Sequence, residues 1–100
     1  MSVHQITAEQ WGIELSNHHK NSEQYKRMMG VSANSAGAEL NVSVQMISKL
    51  LKSGKLDQVQ VLDDRGETIA TLITLYSIEN YRKNRRQGQQ VRKAQRSLSL

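Results

Sequence analysis

Residues 36–50, Ala-Gly-Ala-Glu-Leu-Asn-Val-Ser-Val-Gln-Met-Ile-Ser-Lys-Leu, leave this chain few ways to fold. Two helices cross tightly at a short turn only if a small residue lies at the crossing, a residue tolerant of unusual backbone opens the turn, and apolar residues knit the pair together. Gly37 is small enough for the crossing. Asn41 belongs to the few non-glycine types that accept positive φ. Leu40, Val42, Ile47 and Leu50 supply the buried contacts, and Ser43 is placed to cap the second helix. A second Gly-Val-Ser sequence, Gly30-Val31-Ser32, lies eleven residues upstream. The spacing predicts three successive short helices, with Ser32, Asn34 or Ser35 capping the middle one.

This pattern resembles the helix-turn-helix shared by phage repressors, bacterial regulators and excisionases. The resemblance implies that the second helix enters the major groove of DNA. Leu-Lys-Ser-Gly-Lys-Leu at residues 51–56 also looks like the end of the recognition helix in excisionase-like winged helices. The fold expected is therefore mainly α with a β-hairpin wing around a trihelical helix-turn-helix core.

The periodicity on either side fits that frame. Thr7 is a natural cap for a first helix starting at Ala8, with Gln10 completing a capping box and Ile6 stapling onto Trp11. Trp11, Leu15, His18, Ser22, Tyr25 and Met29 form a helical stripe that falters at Asn21-Ser22. A new helix from Gln24 to Met29 is predicted there, opened by Asn21 with Gln24 and closed by Gly30. After Gly54, a left-handed cap for the recognition helix, Val59, Val61, Ile69, Leu72, Ile73 and Leu75 favour strands. Asp63-Asp64-Arg65-Gly66 between them is a turn. A hairpin is predicted over residues 58–62 and 68–75 with Arg65 at its tip. Ser77 is expected to cap a further helix through Ile78, Tyr81 and the first basic residues, and Val91, Ala94 and Leu98 share one face of an amphipathic helix over 89–100.

One hundred residues suit a single domain. The chain has no cysteine, which excludes disulfides and cysteine-ligated zinc, and no window of about 20 apolar residues for a membrane span. The expected compartment is the bacterial cytoplasm, at the nucleoid, with no membrane partner. Its charge of +5 is unevenly placed. Residues 1–81 carry seven Lys and Arg against nine Asp and Glu; residues 82–100 carry seven cations and no acid. The chain thus divides into a domain over 1–81 and a basic arm over 82–100, partly mobile or an amphipathic helix. Arg82, Lys83, Arg85 and Arg86 begin that arm and would displace counterions from nucleic acid.

Catalytic chemistry finds no foothold. His4, His18 and His19 lack partners at metal-ligand spacing, no motif surrounds a nucleophilic serine, and Asp63, Asp64 and Glu67 straddle a turn. The chain is read as a non-enzyme needing no metal and no cofactor. What the residues favour is duplex DNA. Val44, Gln45, Ser48 and Lys49 are expected to read bases: Gln45 adenine, Lys49 guanine, Val44 a thymine methyl. Ser43, Lys52, Lys55, Arg65, Arg82, Lys83, Arg85 and Arg86 are expected to hold phosphates. No Asp or Glu occurs from Leu40 to Leu56. The function expected is sequence-specific regulation of transcription, as a repressor and a homodimer joined through Trp11 and Leu15 of the first helix or through the tail. An excisionase-like architectural factor or a replication-initiation accessory of a phage or plasmid is the alternative within DNA binding. A protein-interaction adaptor is the alternative outside it.

Overall fold

The computed structural model describes residues 3–85, which form a mixed α/β unit of five helices and a four-stranded sheet. In chain order these are β1 (Val3–Thr7), α1 (Ala8–Asn17), α2 (Glu23–Met28), β2 (Gly30–Val31), α3 (Ala33–Leu40), α4 (Val44–Lys52), β3 (Gln58–Leu62) and β4 (Thr68–Thr74). A last helix, α5, runs through residues 75–85. Arg86 and the amphipathic pattern over 89–100 lie outside the described residues.

Side-chain hydroxyls start the helices, because the first amides of a helix have no internal acceptor. Thr7 accepts from Gln10 N, Ser32 from Ser35 N and Ser43 from Met46 N. Ser22, not Asn21, opens α2: its Oγ accepts from Tyr25 N and donates to the His19 carbonyl at 2.6 Å. Thr74, not Ser77, plays this part for α5, its Oγ1 accepting from Ser77 N at 3.2 Å. Ser77 is itself buried and donates to backbone oxygens of Thr74 and Asp57. Gln10 makes no capping box; its side-chain amide donates along the helix to Glu14.

The hairpin falls on residues 58–62 and 68–74. Asp63 shapes its turn, its Oδ1 accepting from the amides of Arg65 and Glu67 at 2.9 Å while Gly66 takes φ +85°. Pairing passes from Val61 opposite Ala70 to Leu62 opposite Thr68, so Ile69 is an extra residue in β4 and bulges, 58% exposed.

Two further strands make this hairpin the centre of a sheet ordered β1-β3-β4-β2. β1 pairs parallel to β3, and β2 pairs antiparallel to β4 through two residues. Neither strand was expected from the sequence. Gly30 is not a helix cap; it lies in β2 against β4, where a Cβ would stand 2.2 Å from the Ile73 carbonyl oxygen. Met29 ends α2 instead, donating to Tyr25 O.

The main core joins helices to one face of the sheet: Ala36 and Leu40 from α3, Ile47 and Leu50 from α4, Leu56, Ile73 from β4 and Ile78 from α5. Val31, Val42, Leu51 and Tyr81 pack around it. Val59 and Val61 are buried on the opposite face, and α1 packs against their strand and against β1. Trp11 is half-buried and its indole N–H donates to the Met28 carbonyl at 2.8 Å, tying α1 to the end of α2. Among the described residues no helix is long and apolar enough to cross a membrane.

Candidate nucleic-acid interface

The geometry of α3, its turn and α4 follows from how α3 ends. The last four carbonyls of any helix lack partners inside it, and here each finds one. Val42 N donates to Gly37 O at 2.9 Å and Asn41 N to Ala38 O at 3.3 Å, with Asn41 in the left-handed conformation at φ 57°, ψ 47°. This is the paired closure that a left-handed residue makes possible. Arg82 Nη2 then donates to Glu39 O and Arg85 Nη1 to Leu40 O, both at 3.1 Å. Two guanidinium groups at the negative end of a helix also favour its dipole. Gly37 lets the chain turn back closely, since a Cβ there would lie 2.9 Å from Val42 O.

The turn delivers α4 with one face inward. Ile47 is fully buried and Leu50 nearly so, and Leu51 is half-buried. The helical repeat then places Gln45, Ser48, Lys49 and Lys52 on the opposite side, and all four are exposed. Val44 and Met46 flank this ridge at 42% and 38% exposure. The C-terminus of α4 closes as α3 does: Gly54, at φ +78°, donates to Leu51 O and Lys55 N to Leu50 O.

The residues expected at a binding surface therefore divide. Gln45, Ser48, Lys49 and Lys52 come together on one outward ridge, with Val44 exposed at its flank. Ser43 sits at its start with the hydroxyl oxygen engaged by Met46 N, leaving the hydroxyl proton to donate. Lys55 stands beyond the other end, beside Gly54, Asn80, Tyr81, Asn84 and Arg85 around an open recess of about 480 Å³. Arg65 is exposed at the hairpin tip, where Asp63, Asp64 and Glu67 outnumber it. Arg82 and Arg85 are spent on α3, and Arg82 also pairs with the Glu39 carboxylate. Lys83 is exposed on α5. Met46 joins the exposed residues because the helical repeat sets it off the Ile47-Leu50-Leu51 stripe.

Electrostatically the ridge is unopposed. Its two lysines form no ion pair with another described residue, and the nearest preceding acid, Glu39, is held by Arg82. His18 is half-buried and lies 3.5 Å from Glu14, whereas His19 is exposed. Among the described residues no three His, Cys, Asp or Glu side chains are grouped to hold a metal.

No protein-family model, no curated protein and no solved structure matches this chain.

Proposed function

We propose that this protein is a winged helix-turn-helix factor that binds duplex DNA sequence-specifically and represses transcription. One observation carries the reading: α4 leaves a tight left-handed turn with Ile47 and Leu50 buried and an acid-free ridge of Gln45, Ser48, Lys49 and Lys52 facing outward. A helix of this kind enters the major groove by its N-terminal half. Gln45 matches the donor and acceptor of an adenine edge and Lys49 the acceptors of guanine. The order α2-β2-α3-α4-β3-β4, with short β2 closing the sheet against β4, supports the winged-helix reading. In this reading the hairpin is the wing, and its acid-rich tip makes Arg65 the weakest of the phosphate contacts.

Val44 and Met46 beside the ridge favour a second reading, a surface that docks another protein. Selection from a random pool of duplex DNA, followed by titration of the enriched site at several salt concentrations, separates the two. Enrichment of a discrete sequence with affinity that falls steeply with salt supports DNA recognition. No enrichment, with no salt-dependent affinity for any duplex, sinks it.

A further inference from the structure

The two edges of the sheet differ. β2 offers only two residues, so one edge is too short to recruit another strand. β1 at the other edge is five residues long and its outer side has no strand partner among the described residues. Exposed edges are normally protected by Lys, Pro, a bulge or a covering element. Val3-His4-Gln5-Ile6-Thr7 has no Lys, Arg, Asp, Glu or Pro, and its pairing with β3 runs without a bulge.

The helix that follows is equally incomplete. None of the ten residues of α1 is buried, and a helix this short is marginal without packing. Ile13 is 46% exposed. Gly12 beside it, in a helix interior where glycine weakens the structure, has nothing among the described residues within 4 Å of a Cβ position. The described residues of one copy supply no reason for a small residue there.

We propose that β1 and α1 form the surface through which two copies of this chain associate. Antiparallel pairing of β1 with its counterpart about a twofold axis through Gln5 sets Val3 of each copy opposite Thr7 of the other. An uncharged edge meets itself without like-charge repulsion. With the axis perpendicular to the sheet, both α1 helices lie on the same face, where the exposed Ile13 and the open Gly12 are available to the contact. A stable interface covers about 800 Å² on each partner. One strand pair falls short of that, and the exposed face of α1 extends it. Trp11, committed to Met28 O, belongs to the subunit interior and not to this contact.

Association of the two copies requires no DNA. Sedimentation of the full chain over a concentration series should give a dimer, and its melting temperature should rise with concentration. Gln5→Lys puts like charges face to face at the axis, and Ile13→Lys charges the helix face; each should raise the dissociation constant about tenfold or more. Both positions are exposed in the subunit, so far-UV circular dichroism of the variants should be unchanged. A monomer at every concentration would overturn the proposal, as would a dimer indifferent to both substitutions.

Discussion

Gly37 and Val42 meet across the turn at two points: Val42 N–H donates to Gly37 O at 2.9 Å, and Val42 O lies 2.9 Å from where a Gly37 Cβ would be. A methyl group at Gly37 therefore collides with backbone. That backbone is held by the turn hydrogen bond and by Asn41 in the left-handed region, so relief requires α3 and α4 to move apart. Gly37→Ala should cost about 1 to 3 kcal/mol, read as a lower urea midpoint with an unchanged slope. Asn41→Gly should be tolerated and Asn41→Ala should cost about 1 kcal/mol, because only the former relieves a positive φ. A Gly37→Ala protein as stable as the parent would mean that the crossing is looser than these distances.

Those two residues also show what can be read from sequence. Gly37, Asn41 and Ser43 act within a few positions of one another, so their chemistry is local and legible. The hairpin was legible for the same reason, its strands being joined by a five-residue turn with Asp63 and Gly66 at its bends. β1 was not, since Val3-His4-Gln5-Ile6-Thr7 lacks alternating hydrophobicity and becomes a strand only through β3, 55 residues away. β2 is two residues long, and its Gly30 is explained by Ile73, which only the folded chain brings near. The outward ridge of α4 followed from its helical repeat. The use of Arg82 and Arg85 as caps for α3 did not, since their acceptors lie 43 and 45 residues earlier.

In the proposed DNA-binding reading, that placement separates two parts of the basic tail. Removing residues 86–100 leaves both capping arginines, so thermal stability should hold while affinity for DNA and its salt dependence fall. Removing residues 82–100 takes the caps as well. It exposes the Glu39 and Leu40 carbonyls and frees the Glu39 carboxylate beside the turn. These contacts are partly exposed, so Arg82→Gln and Arg85→Gln should each cost only about 1 kcal/mol. Equal melting temperatures for the two truncations would show that the arginines do not stabilise α3.

Glu23 and Arg27, one turn apart on α2, pair at 2.8 Å, and the Arg27 guanidinium lies 4.3 Å from the centre of the Tyr76 ring. The Arg27 hydrogen bond, then that of Tyr76, and then the Arg27 charge hold the Glu23 carboxyl below its ordinary value; the same bond raises Arg27. A carboxylate depressed in the folded state adds stability above its unfolded pKa, and the contribution disappears as pH falls through the folded value. Both groups are solvated, so the effect is small. Arg27→Gln should return the Glu23 titration toward the ordinary carboxylate range in an NMR pH series. An unmoved Glu23 would assign its environment to something other than Arg27.

The ridge itself makes the sharpest prediction, because its residues should differ in kind as well as in amount. Gln45 and Lys49 lie on successive turns of the exposed face, where a groove-bound helix presents side chains to base edges. Each changed to Ala should cost roughly 1 to 3 kcal/mol on the preferred site and clearly less on random duplex. Lys52, exposed a turn further along, is the phosphate contact in the proposed DNA-binding reading. Its loss should weaken both duplexes alike and lower the salt slope by about 1. Fluorescence anisotropy with the two duplexes over a salt series reads all three. Were Gln45→Ala and Lys49→Ala to weaken both duplexes equally, the ridge would be an electrostatic surface only, and the sequence preference would have to come from elsewhere on the protein.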